Sequence, residues 1–254
     1  MNKAIKPAIL PYITLGAGAA GAALRFWLLA SANGAHLLPA GHPARTLPVI
    51  LSLLLLAVLF IGTRPLVQAH KYGFNFPASL PGAIGIAAAA IAIGITCAGE
   101  LAASADSFSR LAAICGLLAA PCLLFVAYCR SKGYHPSLVF HVAVCVFLMI
   151  RLVSLYRTWS ADPQLEDFMY QLLAVVFCLL SCYHRAAFDA NFGSRREYTF
   201  YTLACLYFCC LALPGCSQFP FYIGIGIWMA TNLCSLLPLY GSAPAAEEDP
   251  NAAA

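Results

Sequence analysis

The sequence predicts an all-α protein, a polytopic membrane bundle of eight transmembrane helices with both termini in the cytoplasm. The first observation is composition: 62% of the 254 residues are hydrophobic and 9% are charged, whereas soluble domains carry about 25% charged residues. The second is a series of apolar runs that approach the roughly 20 residues needed to cross a hydrocarbon core. The third is an alternation of basic residues between successive connecting segments. Because so few polar residues could not cover a water-soluble domain, the solvent that fits is a lipid bilayer.

The eight apolar runs follow one another along the chain with short polar connections. We expect helices at 9–30, 46–62, 80–99, 111–129, 138–156, 168–183, 199–213 and 221–240. The second, sixth and seventh runs are the shortest, so their helices should tilt little or extend into their flanks. Together the runs predict one transmembrane helical domain over residues 1–240. Residues 241–254 contain a short acidic run and three terminal alanines, which predicts a disordered cytoplasmic tail.

The distribution of Lys and Arg sets the orientation. With the amino terminus inside, nine basic residues fall in cytoplasmic segments: Lys3, Lys6, Arg64, Lys71, Arg130, Lys132, Arg185, Arg195 and Arg196. Three fall in outer loops (Arg45, Arg110 and Arg157), and Arg25 and Arg151 lie within helices. Cytoplasmic loops of membrane proteins carry an excess of Lys and Arg. Seven or nine helices would break this alternation, so it favours eight spans with both termini inside.

Small residues mark the first and third runs. Gly16, Gly18 and Gly21 lie among alanines in the first, and residues 82–94 are almost wholly Gly, Ala and Ile. Small residues let helix backbones approach closely in lipid. We therefore expect these two helices to pack tightly at the centre of the bundle.

Two arginines are out of place in this scheme. Arg25 and Arg151 each lie one to two turns inside the predicted outer boundary, where a charge needs a partner or contact with water. Candidate partners are Glu100, at the outer end of the third run, and Glu166 or Asp167. Three interpretations stay open: snorkelling to the headgroups, structural ion pairs, or a ligand site. As a ligand site, Arg25, Arg151, Glu100 and Glu166 would bind a small anionic solute, because Arg grips carboxylate or phosphate through two parallel hydrogen bonds.

Arg25 and Arg151 also predict an internal repeat. Each lies near the end of an apolar run and is followed by an outer loop, another apolar run and a cytoplasmic arginine, Arg64 or Arg185. Four helices per half would place the two halves in the same orientation. The alternative is that any two helical hairpins with a terminal arginine look alike.

We predict no cofactor and no metal. Eleven of the twelve cysteines lie in or at the ends of apolar runs and only Cys216 falls clearly in a loop, so reduced, packed thiols are expected rather than disulfides. His135 and His141 are six residues apart, which would place them on different faces of a helix. The sequence shows no His-x-x-x-His or Cys-x-x-Cys spacing.

The chain carries none of the common enzyme motifs, such as Gly-x-Ser-x-Gly, His-Glu-x-x-His or a P-loop. An enzyme is therefore the less favoured class, although lipid-modifying enzymes can use scattered residues. No run of Lys and Arg interleaved with aromatic residues is present, which argues against nucleic acid as a partner.

Three short pieces of the chain carry a resemblance: residues 24–27 (LRFW), 41–43 (GHP) and 157–163 (RTWSADP). They resemble segments of uncharacterised multi-pass membrane proteins of Gram-positive anaerobic bacteria. The resemblance covers two hairpins. It implies a bacterial plasma membrane location and no particular activity.

The leading functional hypothesis is therefore transport or binding of a small anionic solute. The first alternative is a membrane enzyme that acts on lipid head groups, which would need a polar cleft at the cytoplasmic loop between His184 and Arg196. The second is a non-catalytic subunit that stabilises or regulates another membrane protein.

Overall fold

Helices account for the whole regular structure of the described chain. A computed structural model describes residues 9–31, 43–66, 70–103, 106–160 and 165–236, and these residues form helices and no strand. The helices are α1 (Leu10–Ser31), α2 (Pro43–Gly62), α3 (Tyr72–Asn75), α4 (Leu80–Ala103), α5 (Ser107–Lys132), α6 (Leu138–Trp159), α7 (Leu165–Asp189), α8 (Arg195–Ala212) and α9 (Phe219–Leu236). The all-α prediction is confirmed. Each predicted apolar run coincides with one long helix, and α3 is a single additional turn.

Five of the helices are long and apolar enough to cross a membrane: α1, α4, α5, α6 and α7. Helices α2 and α9 contain shorter apolar segments, at Thr46–Gly62 and Phe219–Cys234. This architecture is compatible with an integral, multi-pass membrane protein in a lipid bilayer. The count of eight spans stays a prediction.

Local signals explain where individual helices begin and end. Asp106 precedes α5, and its carboxylate accepts a hydrogen bond from the Ser109 amide at 3.1 Å, which satisfies a donor that the helix itself leaves open. Gly133 ends the same helix with a φ of 75°, a left-handed conformation that only glycine adopts without strain. Ser194 precedes α8 and accepts from the Glu197 amide in the same way.

The long helices alternate in direction, which gives the bundle two ends. We call the end where α1 begins the proximal end and the end where α1 finishes the distal end. Helices α4 to α9 form a closed ring in which each packs against the next and α9 returns to α4. Helix α1 packs along α8 outside this ring, and α2 packs on α1 with a lighter contact to α8. The prediction that α1 lies at the centre of the bundle was therefore wrong: its glycines Gly18 and Gly21 serve the contact with α8 alone.

Glycines permit the closest helix contacts, as expected for the small-residue runs. A Cβ atom added at Gly21 of α1 would lie 2.5 Å from Leu211 Cδ1 on α8. One added at Gly85 of α4 would overlap the Thr231 side chain on α9. Helices α1 and α4 therefore approach their neighbours at distances that a larger residue would forbid.

Two predictions fall on parts of the chain outside the described residues. These are the cytoplasmic tail at 241–254 and the side chains of Glu166 and Asp167. The twelve cysteines are all unpaired, in line with the prediction of reduced thiols. The 4+4 repeat stays a prediction.

Candidate functional site

The distal end holds one buried ion pair. Arg151 on α6 is 3% exposed, and its guanidinium donates two hydrogen bonds to the Glu100 carboxylate on α4, from Nη1 to Oε2 and from Nη2 to Oε1 at 2.6 Å. Gln218, in the loop before α9, joins the pair: its side-chain oxygen accepts from Arg151 Nη2 at 2.6 Å, and its side-chain nitrogen donates to Glu100. Sequence reasoning placed Arg151 and Glu100 together, and the structure does so.

This distal arrangement neutralises the charge of Arg151. The parallel contacts to both oxygens of Glu100 form the bidentate geometry that makes Arg–carboxylate pairs strong. The Phe221 ring lies 5.3 Å from the guanidinium carbon and covers it. Only Nε of Arg151 is left buried without a hydrogen bond among the described residues.

Arg25 has a different environment. It is 4% exposed, its Nη1 donates to the Leu211 carbonyl of α8 at 2.8 Å, and its guanidinium lies 5.2 Å from the centre of the Tyr170 ring. Arg25 and Arg151 therefore both lie inside the protein, which argues against snorkelling. Both positive charges act to lower the pKa of Cys216, so both lie near the loop between α8 and α9. Glu166 was predicted to complete this site, and its side chain lies outside the described residues.

The proximal end contains a group of arginines that the sequence did not reveal. Arg130 on α5 and Arg185 on α7 are each 1% exposed. Their guanidinium carbons lie 5.2 and 5.1 Å from the centre of one aromatic ring, that of Phe76. Two like charges are thus held around one buried ring.

A third buried arginine extends this group. Arg195, at the start of α8, donates from Nε to the Asn75 side-chain oxygen at 2.7 Å and lies over the Phe74 ring. Asn75 is itself fixed by a hydrogen bond from its amide to the Lys71 carbonyl at 2.9 Å. The short helix α3 and its flanks therefore fold back over the ends of the long helices and bury the arginines. We call Arg130, Arg185 and Arg195 the proximal arginine cluster.

An imidazole–carboxylate pair adjoins the cluster. His141 Nδ1 of α6 lies 2.6 Å from Asp189 Oδ2 at the end of α7, and His135 Nε2 lies 3.8 Å from the other oxygen of Asp189. The expectation that His135 and His141 lie on different faces of a helix assumed that both are helical. His135 lies in the segment before α6, so helical spacing does not govern where its ring is placed, and both rings face Asp189.

The proximal arginine cluster was missed for an identifiable reason. All three arginines lie within one turn of a helix end, so they were counted as cytoplasmic loop residues under the positive-inside rule. The sequence signal that could have found them is the aromatic and amide content of residues 72–76 (YGFNF). Such a segment supplies ring faces and an acceptor for arginines rather than a solvated loop.

Neither end offers a metal site in the described part of the chain, where no group of three or more His, Cys, Asp or Glu side chains could hold an ion. No family model matches the chain, and no curated protein or solved structure matches it. The fold and these sites thus define a class, that of all-helical proteins suited to a multi-pass arrangement in a bilayer.

Proposed function

We propose that this protein spans a bacterial plasma membrane eight times and binds and transports a small anionic solute. The proximal arginine cluster, at the cytoplasmic end in the predicted orientation, would hold the solute. The observation that carries the proposal is the pair of buried guanidinium groups, Arg130 and Arg185, on the single ring of Phe76.

Two adjacent buried cations repel each other, and each also loses hydration. A charge taken out of water is stable only when it is paired and hydrogen-bonded. Arg185 keeps donors to spare. Its Nη1 donates to the Asn232 side-chain oxygen at 3.3 Å, whereas Nε and Nη2 make no hydrogen bond within the described residues. An anion bound beside Arg185 would relieve the repulsion and accept these donors.

The surroundings suit an oxyanion. Guanidinium groups bind carboxylate and phosphate in preference to other groups because their N–H donors match the spacing of two oxygens. The hydroxyl groups of Tyr72 and Tyr198 are buried there without a hydrogen-bond partner among the described residues, and each can donate to an oxygen. The carboxylate of Asp189 contacts His141 and also attracts Arg185, so one negative charge faces the three positive charges of the cluster.

The proposed spans include α2, α8 and α9, which are shorter or less apolar than the other five. Helices α8 and α9 have 18 residues each, which gives about 27 Å at 1.5 Å per residue. That length is close to the roughly 30 Å of a hydrocarbon core. If all eight long helices span, the distal ion pair and the proximal arginine cluster lie at opposite membrane faces. A pathway across the bilayer requires polar groups at both faces.

The predicted distal site of Arg25, Arg151, Glu100 and Glu166 is the weaker candidate for the solute. Arg151 has its charge matched by Glu100, so an incoming anion would have to displace a bidentate partner. An anion that binds the proximal arginine cluster would not have to displace a bidentate carboxylate. We therefore propose that the primary site lies there.

The experiment is a thermal-shift and equilibrium-binding screen of detergent-purified protein against phosphate, sulfate and small carboxylates. It would compare wild type with Arg185→Gln and Arg151→Gln. Arg157→Gln serves as a control, because Arg157 is an exposed arginine at the distal end. A ligand at 100 times its Kd stabilises a protein by about 2.7 kcal/mol, so the expected result is a rise in melting temperature with one anion. Arg185→Gln should abolish the rise, while Arg151→Gln and Arg157→Gln should keep it.

Two results would overturn the proposal. One is that no anion stabilises the wild-type protein. The other is that Arg185→Gln, purified as a folded protein, responds to the anion as wild type does. If Arg185→Gln fails to fold, Asn232→Ala tests the same position, because it removes the group that holds Arg185 Nη1 and should weaken anion binding. Uptake of the identified anion into proteoliposomes then separates transport from binding.

A further inference from the structure

A separate cavity opens at the proximal end between α2 and α8. Its volume is about 240 Å³, the space of several water molecules at about 30 Å³ each. Its lining is half aromatic and half polar: Phe60, Thr63, Arg196, Glu197, Phe200 and Tyr201. We call it the α2–α8 pocket.

Two arginines share one ring that lines this pocket, and one of them, Arg196, lines it as well. The guanidinium carbons of Arg64 and Arg196 lie 5.0 and 5.2 Å from the centre of the Phe60 ring. Arg64 is exposed and Arg196 is half-buried, and neither makes an ion pair or hydrogen bond within the described residues. Their donors are therefore available to a ligand, and they are held in place by the ring rather than by a carboxylate.

The acidic residue of the pocket is already engaged. Glu197 Oε2 lies 3.4 Å from His184 Nδ1, and the His184 ring stacks on Tyr201 with 5.0 Å between ring centres. The carboxylate thus faces an imidazole, and its single negative charge leaves a net positive charge beside the two arginines. The pocket keeps a positive side.

An exposed apolar face of α2 adjoins the pocket. Phe60 is half-exposed, its neighbour Ile61 is 63% exposed, and Leu53 and Leu54 continue an exposed apolar face along α2. Helix α2 ends at Gly62, so Arg64 lies just beyond its last turn. A basic pair of side chains at the membrane boundary beside an apolar face fits a ligand with a charged head and hydrocarbon tails.

From this arrangement we infer that the α2–α8 pocket binds the phosphodiester headgroup of an anionic phospholipid. Arg64 and Arg196 bind the phosphate oxygens, and the acyl chains lie along the exposed face of α2. The shared chemistry is a phosphate ester, and the apolar face favours the membrane lipid over a free phosphate as its source. The inference is independent of the proposed solute site, because neither arginine belongs to the proximal arginine cluster.

Native mass spectrometry of the detergent-purified full chain tests the inference. Lipid-bound protein would be counted after addition of phosphatidylglycerol, phosphatidylcholine or soluble glycerol 3-phosphate. The variants are Arg64→Gln, Arg196→Gln and the double change. Arg157→Gln is the matched control, because Arg157 also lies over a phenyl ring, that of Phe108 at 4.8 Å, at the distal end.

Wild type should bind phosphatidylglycerol in preference to phosphatidylcholine. Each single variant should bind it about fivefold more weakly and the double variant about 25-fold more weakly, since a basic residue contributes about 1 kcal/mol to contact with anionic lipid. Arg157→Gln should bind as wild type does. Equal binding of the two lipids, or undiminished binding by a double variant that melts at the wild-type temperature, would overturn the inference. Binding of glycerol 3-phosphate as tightly as the lipid would overturn it as well, and would identify a soluble phosphate ester as the ligand.

Discussion

Removal of the Glu100 carboxylate is the sharpest test of the distal ion pair. Glu100→Gln keeps the size of the side chain and one oxygen acceptor, but it leaves the Arg151 cation without a counter-charge. Arg151 is 3% exposed and receives both of its carboxylate contacts from this one residue. The variant therefore isolates the charge from the packing.

The loss of stability expected for Glu100→Gln follows from the burial of Arg151. Removing one partner of a buried ion pair costs about 3–5 kcal/mol, because the remaining charge is left uncompensated. Glu100 retains 18% exposure of its side chain, and the amide oxygen can still accept one hydrogen bond from Arg151. We therefore expect the lower part of that range, about 3 kcal/mol. For a chain of this length that corresponds to a fall in melting temperature of about 6–12 °C.

A double variant shows whether the loss comes from the unpaired charge. Glu100→Gln combined with Arg151→Met removes both charges, and replacing a buried pair by groups of similar volume is often near neutral. We expect the double variant to recover about 2 kcal/mol relative to Glu100→Gln alone. Melting in one detergent by intrinsic fluorescence measures all three proteins, with Arg157→Gln as an exposed-charge control. The reasoning is refuted if Glu100→Gln melts with wild type, or if the second change adds its own loss instead of restoring stability.

Three further predictions follow from other parts of the bundle. Gly85→Leu should lower the melting temperature by several degrees because α4 and α9 must separate, whereas Gly16→Ala, where nothing lies within 4 Å of an added Cβ, should leave it unchanged or raise it slightly. Hydrogen bonds from the start of α5 lower the pKa of Asp106 from its ordinary value of 3.8. The ionised carboxylate therefore stabilises the fold at pH values above 3.8, and this stabilisation is lost as the pH falls through the lowered pKa. Wild type should thus lose more melting temperature between about pH 5 and pH 3 than Asp106→Asn, whose amide oxygen still caps the helix, and equal losses would contradict the assignment. Burial raises the pKa of the Cys216 thiol above 9.0, so its alkylation rate, followed by peptide mass spectrometry, should rise about tenfold per pH unit without a plateau below pH 9, and a plateau near pH 8 would contradict this.

The helices were predictable because a hydrocarbon core imposes length and apolarity on each one. The apolar runs at 80–99 and 138–156 became parts of α4 and α6 with only their flanks extended. The glycines of the run at 80–99 also indicated the close approach of α4 to a neighbouring helix. The closed ring of α4 to α9 could not be predicted from the sequence. Hydrophobic periodicity and composition predict where helices form, but they do not specify which helix packs against which.

The distal site was half predictable. Charge and depth led from Arg151 to Glu100, since a buried cation needs an anion at the same level. Gln218 was missed because a neutral amide in a loop carries no comparable signal. At the proximal end the burial of Arg185 depends on the fold-back of α3, which brings Phe76 over a helix that begins some 90 residues later in the chain.

The position of α1 outside the ring has a consequence for biosynthesis. Arg25 on α1 hydrogen-bonds to a carbonyl that lies 186 residues further along the chain. At about 5–20 residues per second, translation takes roughly 10–40 s to supply that partner. During this interval the acceptor on α8 does not yet exist, so the guanidinium of Arg25 needs another hydrogen-bond partner, such as water or, in a membrane, lipid headgroups. The contact between Arg25 and α8 can form only after nearly all of the helical region has been translated.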